Sequence, residues 1–263
     1  MLKPKLNKHS SLEVMVADHC NLNCKSCDHC SPILEPWLYN LEKFKSDLTI
    51  IKKNFRSLKL IKFLGGEPFL NKDLLDFVIF TRKLYPHAKL QILTNGTILP
   101  QDSDYFWKVI NKLRVKIIIS WYLPIGMNRL EKYCKLAKHL HFSQVHTFFT
   151  GILFKNSTES SSYKACKLKD NCSTLRDGML YRCSEGYSCK RLVELYGFNY
   201  PLNNICINLR EGLNKNICKD FKKSEPSQCK YCTYPIRKDF RDKWSASEKK
   251  IEEWVVDNES AIQ

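Results

Sequence analysis

Three cysteines near the start of the chain have the type and spacing needed to bind metal. Cys20, Cys24 and Cys27 directly follow the first apolar run of the sequence. Three closely spaced thiolates can hold three irons of a 4Fe–4S cluster and leave the fourth iron open for a cofactor. A zinc site that takes Cys30 or His29 as its fourth ligand would use the same cysteines. Their spacing alone leaves both kinds of metal open.

Glycine and polar residues end the next three predicted strands. These residues are Gly65, Gly66, Glu67 and Pro68 in LGGEP, Thr94 and Asn95 in LTNG, and Ser120 in ISWY. The two glycines allow a ligand to approach the backbone closely, and the glutamate supplies a carboxylate acceptor. Because parallel strands bring their carboxyl ends to one rim, we expect these residues beside the cysteines.

A second group of cysteines lies between residues 166 and 232. The Asp-Gly pair at 177–178 predicts a β-hairpin. A site of four thiolates could form from residues on both sides of this hairpin and the distant CKYC, namely Cys172, Cys183, Cys229 and Cys232. Cys166 is an alternative to Cys172. The intervening cysteines could support a further cluster, and they are Cys189, Cys206 and Cys218. Either zinc or an iron–sulfur cluster would be satisfied by such a set.

Apolar runs alternate with amphipathic helical patterns over residues 1–154. Strands are predicted at 12–18, 58–66, 89–96, 115–122 and 144–154, and helices at 40–55, 71–85, 102–113 and 127–141. This alternation predicts an α/β fold with a parallel sheet, and the continuously apolar strands indicate a sheet covered on both faces. A polar stretch after residue 154 opens a small cysteine-rich domain at 155–242. The last residues, 243–263, are predicted to form a C-terminal helix capped by Ser245 or Ser247.

Composition limits the classes of protein that the chain can represent. The net charge is +16, from 43 basic and 27 acidic residues. The lysines are scattered, so the charge indicates no specific nucleic-acid ligand. The absence of a long apolar run and of a secretory signal predicts a cytoplasmic protein without a membrane span. In that compartment, thirteen cysteines indicate metal or redox chemistry rather than disulfides.

The first domain resembles the radical S-adenosylmethionine (SAM) superfamily. CNLNCKSC at 20–27 matches its CxxxCxxC cluster motif, and GGEP at 65–68 matches its SAM-binding motif. The resemblance implies a partial (β/α)6 barrel, with a 4Fe–4S cluster on the three cysteines and SAM on the open iron. It also implies that GGEP contacts the SAM amino group, and that Ser120, Thr94 and Asn95 contact the ribose or carboxylate. The family usually has an aromatic residue where this chain has Ser26, so adenine packing is expected to differ.

The second cysteine group resembles the twitch and SPASM extensions of radical SAM enzymes. These extensions bind auxiliary 4Fe–4S clusters. The seven-cysteine SPASM pattern is not met, and the shorter twitch form with one cluster fits better. The resemblance therefore implies two clusters, one catalytic and one auxiliary.

A radical SAM oxidoreductase is the function that these resemblances imply. Such an enzyme cleaves SAM to a 5′-deoxyadenosyl radical, which abstracts hydrogen from a C–H bond. The motifs CDHCSP, GGEPFLNKDLLDF and ISWYLP resemble a group associated with surface polysaccharides. They point to a sugar or small-alcohol substrate, with a flavodoxin- or ferredoxin-type electron donor. The alternatives are a radical SAM enzyme that modifies peptides or proteins, and a non-enzymatic, basic zinc protein.

Overall fold

The computed structural model describes residues 3–7, 9–100, 103–122, 138, 140–145, 147–149, 153–157, 162–166, 169, 173–234 and 241–257. Within these residues, no helix is both long enough and apolar enough to cross a membrane. The described part is a mixed α/β fold built on one large sheet.

Five consecutive strands among the described residues form a parallel run in this sheet. They are β1 (Ser11–Ala17), β2 (Leu60–Gly65), β3 (Lys89–Thr94), β4 (Val115–Tyr122) and β5 (Leu140–Val145). Each strand pairs in parallel with the next one along the chain. Every residue of β1 is buried, as expected of a parallel strand that is covered on both faces. The prediction of an α/β fold with a parallel sheet is therefore confirmed.

In the part of the chain that the structure describes, three helices lie between these strands in the sequence. They are α1 (Leu41–Asn54), α2 (Leu74–Leu84) and α3 (Asp104–Lys112). Asn40 caps α1, because its side-chain oxygen accepts hydrogen bonds of 3.1 Å from the backbone N–H groups of Glu42 and Lys43. Phe44 of α1 and Phe77 of α2 pack with their ring centroids 4.5 Å apart in the main hydrophobic core.

The region before residue 155 differs from its prediction. The helix predicted at 127–141 lies mostly outside the described residues, and its last two residues belong to β5. The single strand predicted at 144–154 is replaced by the end of β5 and by β6 (Thr147–Phe149) and β7 (Leu153–Phe154). The two short strands pair with the C-terminal part of the chain. Their partners are about a hundred residues away, so the local pattern could not define their limits.

The cysteine-rich region extends the large sheet instead of forming a separate one. Its strands are β8 (Thr174–Arg176), β9 (Met179–Tyr181) and β10 (Cys206–Asn208). β8 and β9 form the predicted hairpin, with Asp177 and Gly178 at positive φ angles of 45° and 78°. Because β8 pairs in parallel with β1, the strand order is β10-β9-β8-β1-β2-β3-β4-β5.

Two helices occur among the described residues of the cysteine-rich region, where the only element predicted above is the β-hairpin. They are α4 (Ser184–Tyr196) and α5 (Lys215–Lys223). The first turns of α4 contain serine, glycine and cysteine, which are weak helix formers. Burial of Tyr187, Cys189 and Leu192 stabilises this helix through tertiary packing. The intrinsic helix propensity of this segment therefore does not predict α4.

The predicted C-terminal helix at 243–263 is wrong for the part of this range that the structure describes. The segment instead contains β11 (Arg241–Lys243), a 3-10 turn (Ile251–Glu253) and β12 (Val255–Val256). β11 pairs antiparallel with β6, and β12 pairs parallel with β7. Trp254 is fully buried between the turn and β12. Strand pairing and burial of this ring override the helical pattern.

An ion pair between a buried carboxylate and a solvent-exposed arginine fastens the cysteine-rich region to α1. Asp47 on α1 is 0% exposed. Arg210 donates to its two carboxylate oxygens from Nε at 3.0 Å and from Nη2 at 2.8 Å. The hydroxyl of Tyr39 donates to the same carboxylate at 2.5 Å. Arg210 also binds Asp177 in the hairpin bend at 2.9 Å, so one cation joins the helix to the hairpin.

Replacing Arg210 by methionine (Arg210→Met) leaves the buried carboxylate of Asp47 without its cation. We expect the free energy of unfolding to fall by about 3 kcal/mol at pH 7, because an uncompensated buried charge is costly. Urea denaturation followed by circular dichroism measures this loss. The control is Lys45→Met, which removes the ion pair with exposed Glu42 and should cost less than about 1 kcal/mol. Equal losses in the two variants would contradict the interpretation.

Candidate functional site

The three cysteines of the first group lie together on the loop that follows β1, residues 18–31, here called the cysteine loop. Cys24 is buried, and Cys20 and Cys27 are partly buried. Burial raises the pKa of Cys20 to about 12, and the negative charges of the other two cysteines contribute to the rise. Burial likewise raises the pKa of Cys24 to about 11, with a contribution from Cys27. The three sulfurs are therefore close enough to affect one another.

N–H groups point at all three sulfurs. The donors are Leu22 N (3.4 Å) and Asn95 Nδ2 (3.5 Å) for Cys20, Trp244 Nε1 (3.3 Å) for Cys24, and the backbone N–H groups of His29 and Ser31 for Cys27. Such donors stabilise the thiolate more than the thiol, and a bound metal cation removes the thiol proton. The donor set therefore fits a metal group that binds through thiolates, as an iron–sulfur cluster does.

Within the described residues, no three His, Cys, Asp or Glu side chains converge as a single ion requires. In a cluster each cysteine binds a different iron, so the sulfurs need not converge on one point.

Cys30, the alternative fourth ligand of a zinc site, packs against α4. Its side chain is 0% exposed and belongs to an apolar cluster that includes Met15 and Trp254. Burial raises the pKa of its thiol well above the ordinary value. The hydroxyl of Ser188 on α4 donates to the carbonyl of Asp28 at 2.5 Å. α4 thus supports the end of the cysteine loop.

The two glycines of LGGEP lie where the cysteine loop packs on the end of β2. A Cβ on Gly65 would lie 2.1 Å from the carbonyl oxygen of Ala17, and one on Gly66 would lie 2.2 Å from that of His19. The backbone N–H of Gly66 donates to Ala17 O at 2.9 Å, and that of Glu67 donates to His19 O at 3.1 Å. The sequence predicts that these two glycines allow a ligand to approach the backbone. In the structure, the atoms that approach them closely are carbonyl groups of the chain's own backbone.

Glu67 joins the end of β2 to the end of β3. Its carboxylate is 0% exposed and accepts three hydrogen bonds. Oε1 accepts from Thr94 Oγ1 at 2.7 Å and Phe69 N at 3.1 Å, and Oε2 accepts from Asn95 N at 2.8 Å. Burial raises the pKa of Glu67 to about 7, and the three donors oppose this rise. Pro68 follows at the start of a 3-10 turn, so the motif is rigid.

Asn95 connects the end of β3 to the cysteine loop. Its Nδ2 donates to Asn21 Oδ1 at 2.9 Å as well as to the sulfur of Cys20. Its Oδ1 accepts from the backbone N–H of Thr97 at 2.9 Å. Ser120 is partly exposed on the neighbouring strand β4. The structure thus brings the LGGEP and LTNG residues together with the cysteines at one rim of the sheet.

A buried ion pair beneath the cysteine loop was not found from the sequence. Asp18 is 2% exposed, and its Oδ2 accepts from Arg176 Nη2 at 2.6 Å and from the Tyr187 hydroxyl at 2.7 Å. The guanidinium of Arg176 stacks on the ring of Trp37, 4.0 Å from its centroid. Arg176 belongs to β8, so the hairpin of the cysteine-rich region fixes the base of the cysteine loop.

The C-terminal segment, residues 244–256, also lies on the cysteine loop, and the sequence analysis missed this contact. Its hydrogen bonds are Lys25 N to Ser245 O (3.0 Å), Ser247 N to Asn23 O (2.8 Å), Asn23 Nδ2 to Ser247 O (2.8 Å), Ser26 Oγ to Glu253 O (2.6 Å) and Trp254 Nε1 to Cys27 O (2.9 Å). Ser26, at the expected aromatic position, is thus buried under this segment. A sequence signal exists, since two of the five tryptophans fall within this short segment.

Cysteines of the second group also come together. Burial raises the pKa of Cys183 well above its ordinary value, and the charges of Cys232 and Cys229 contribute. Burial raises the pKa of Cys229 to about 12, and the charges of Cys232 and Cys166 contribute. Cys166 is therefore within electrostatic reach of this group. Cys172, its alternative, lies outside the described residues.

The remaining cysteines of this region divide into two kinds. Cys189 on α4 is fully buried, and its pKa is raised to about 12 by burial, with a contribution from the charge of Cys232. It is thus a further neighbour of the second group. Cys206 lies partly buried on β10, where burial raises the pKa of its thiol and the charge of Lys190 opposes this rise. Cys218 on α5 is 1% exposed and packs in the main core.

Comparison with known proteins identifies the family to which the first part of the chain is similar. Residues 14–119 match the model of the radical SAM superfamily. GTP 3′,8-cyclase from Clostridium acetobutylicum is 31% identical over 130 residues, which are 48% of this chain and 40% of that protein. Molybdenum cofactor biosynthesis protein 1 from Dictyostelium discoideum is 30% identical over 123 residues, which are 44% of this chain and 19% of that protein. The chain thus spans less than half the length of these curated relatives.

Similarity of fold extends over most of the chain. The solved structure of BtrN in complex with AdoMet and 2-DOIA superimposes with a TM-score of 0.56 at 19% sequence identity. The similarity covers 90% of this chain and 96% of that one. It includes most of the described cysteine-rich region, and at this identity it concerns the fold alone.

Adding a Cβ at Gly66 (Gly66→Ala) would force the cysteine loop away from β2. We expect a loss of about 3 kcal/mol or more in the free energy of unfolding, because the atoms within 2.7 Å are all backbone. Urea denaturation measures the loss. The control is Gly197→Ala, whose φ is +70° with no atom within 4 Å, so that only backbone strain of about 1 kcal/mol is expected. Similar losses in both variants would rule out the proposed clash.

Proposed function

We propose, from the premise that the chain carries a radical SAM domain at residues 14–119, that Cys20, Cys24 and Cys27 hold a 4Fe–4S cluster with one iron open for SAM. The observation that carries the proposal is the set of N–H donors directed at three clustered sulfurs beside the Gly65–Pro68 segment. A structural zinc site would instead fill its coordination shell with a fourth protein ligand.

The residues around the cysteines bind and orient the cofactor. When bound, the cluster supplies the electron that cleaves SAM to methionine and a 5′-deoxyadenosyl radical, which abstracts hydrogen from a substrate C–H bond. We assign the SAM amino group to the main chain of Gly65–Pro68, because the Glu67 carboxylate already accepts three hydrogen bonds from the protein. Ser120, with Thr94 and Asn95, is assigned to the ribose or carboxylate. These assignments rest on the matched motifs and on the shared rim.

A second, auxiliary 4Fe–4S cluster is proposed for the cysteine-rich region. Its ligands are Cys183, Cys229 and Cys232 together with Cys166 or Cys172. The mutual effect of the described members on their pKa values supports a common site, and the effect of Cys166 on Cys229 favours Cys166 as the fourth ligand. This twitch-like arrangement supplies an acceptor for one electron, so that hydrogen abstraction becomes a net two-electron oxidation.

The substrate proposed for this oxidation is a sugar or another small alcohol. The product would be the corresponding ketone, since one hydrogen atom leaves with the 5′-deoxyadenosyl group, one electron goes to the auxiliary cluster and one proton is released. The fold of BtrN, solved with AdoMet and 2-DOIA, covers 90% of this chain and supports an enzyme of this architecture. We assign reduction of the first cluster to a flavodoxin- or ferredoxin-type protein, whose acidic surface would complement the net charge of +16.

Removing one proposed ligand of the first cluster (Cys24→Ala) should abolish SAM cleavage. After anaerobic purification and reconstitution, the wild-type chain should contain about eight irons and release 5′-deoxyadenosine with SAM and a reductant. The variant should contain about four irons and release none, as measured by iron assay and chromatography. Cys218→Ala, which changes a cysteine of the main core, should keep both properties. Turnover by Cys24→Ala would remove the first site from consideration.

Removing one proposed ligand of the auxiliary cluster (Cys229→Ala) should have the complementary effect. The iron content should fall to about four per chain, because only the second cluster loses a ligand. SAM cleavage by the first cluster should persist. The iron assay and 5′-deoxyadenosine release measure the two effects separately, again beside Cys218→Ala. An unchanged iron content would show that the second site is wrongly assigned.

A further inference from the structure

The C-terminal segment, residues 244–256, is held against the cysteine loop by backbone pairing. Cys24 and Ala246 form an antiparallel β-bridge. Hydrogen bonds on both sides of this bridge join Lys25 to Ser245 and Asn23 to Ser247. The position of Trp244, directly before the paired residues, is therefore set by the loop that it covers.

Trp244 directs a hydrogen-bond donor at the sulfur of Cys24. Its indole Nε1–H lies 3.3 Å from Cys24 Sγ, within the range of an N–H···S hydrogen bond. Cys24 is only 8% exposed, so water screens this contact weakly. The indole thus stabilises negative charge on this sulfur.

A donor of this kind affects electron transfer to a metal group on the same sulfur. Reduction adds one negative charge, part of which resides on the ligand sulfurs. An N–H group directed at a sulfur stabilises the reduced form more than the oxidised form, and hydrogen bonds to sulfur are among the factors that set iron–sulfur potentials. The hydrogen bond from Trp244 should therefore raise the reduction potential of a cluster on Cys24.

We propose that Trp244 is a positioning residue that raises the reduction potential of the cluster held by Cys20, Cys24 and Cys27, through its Nε1–H donor to Cys24 Sγ. This inference rests on the proposed function, because it requires a cluster at that site. It also assigns a role to the C-terminal segment, which places the donor from 220 residues away along the chain.

Trp254 provides a matched control within the same segment. Its Nε1–H donates to the carbonyl oxygen of Cys27 at 2.9 Å and not to a sulfur. Both tryptophans thus fasten the segment to the cysteine loop with one indole hydrogen bond, but of the two only Trp244 directs its donor at the sulfur of a proposed cluster ligand. Phenylalanine at either position removes the donor and keeps an aromatic ring.

The test is a redox titration of full-length wild type, Trp244→Phe and Trp254→Phe after anaerobic reconstitution. Electron paramagnetic resonance follows the reduced clusters, and the signal that changes on addition of SAM is assigned to the first cluster. In Trp244→Phe, the ratio of reduced to oxidised cluster at a fixed potential should fall by about fivefold to tenfold, a shift of up to about 59 mV to more negative potential for a one-electron couple. Trp254→Phe should titrate like the wild type.

The outcomes separate this inference from the proposed function. Absence of a SAM-sensitive cluster in the wild type would overturn the proposed function itself. A SAM-sensitive cluster with the same potential in wild type and Trp244→Phe would overturn only the role of Trp244. If Trp244→Phe fails to retain iron, Trp244→His supplies another N–H donor and should restore both iron and a potential near that of the wild type. Failure of that rescue would show that the indole serves only to hold the loop, and would also overturn the inference.

Discussion

The structure depends on direct backbone contact between the cysteine loop and the end of β2. Gly65 and Gly66 permit this contact, because a Cβ would lie about 2 Å from the carbonyl oxygen of Ala17, at the end of β1, or from that of His19 in the loop. Glu67 extends the constraint to β3 by accepting hydrogen bonds from Thr94 and Asn95. The ends of three neighbouring strands are thereby locked together. The residues at this rim therefore keep fixed relative positions, as a site that acts by positioning requires.

The cysteine-rich region is an integral part of this arrangement, because its strands belong to the same sheet. β8 pairs with β1, directly before the cysteine loop. Two buried carboxylates, Asp18 and Asp47, take their cations, Arg176 and Arg210, from this region. Buried ion pairs contribute little net stability compared with apolar packing, but loss of either cation would leave a charge inside the fold. The region from β8 onward therefore supplies the cations that neutralise two buried carboxylates in the first part of the chain.

The C-terminal segment connects the two groups of cysteines. Near its start it contacts the cysteine loop through Trp244, and at its end β12 pairs with β7. β7 in turn forms a β-bridge with Cys232, through Leu153. A continuous path of backbone pairing thus runs from the first cysteine group to the second. Such a path fixes the spacing of the two groups, which matters for any transfer of electrons between them.

The sequence by itself determined the features that depend on neighbouring residues. Apolar runs predicted β1 to β4, and the amphipathic pattern at 40–55 predicted α1. The Asp-Gly pair predicted the β8–β9 hairpin. The cysteine spacing likewise identified the candidate metal site. Only the tertiary structure decided the remaining features, namely α4, the strands that replace a C-terminal helix, and the donor from Trp244 to Cys24. These features arise from burial and from pairing between segments that are far apart in the sequence, by 220 residues for Trp244 and Cys24. A local sequence pattern does not contain these interactions.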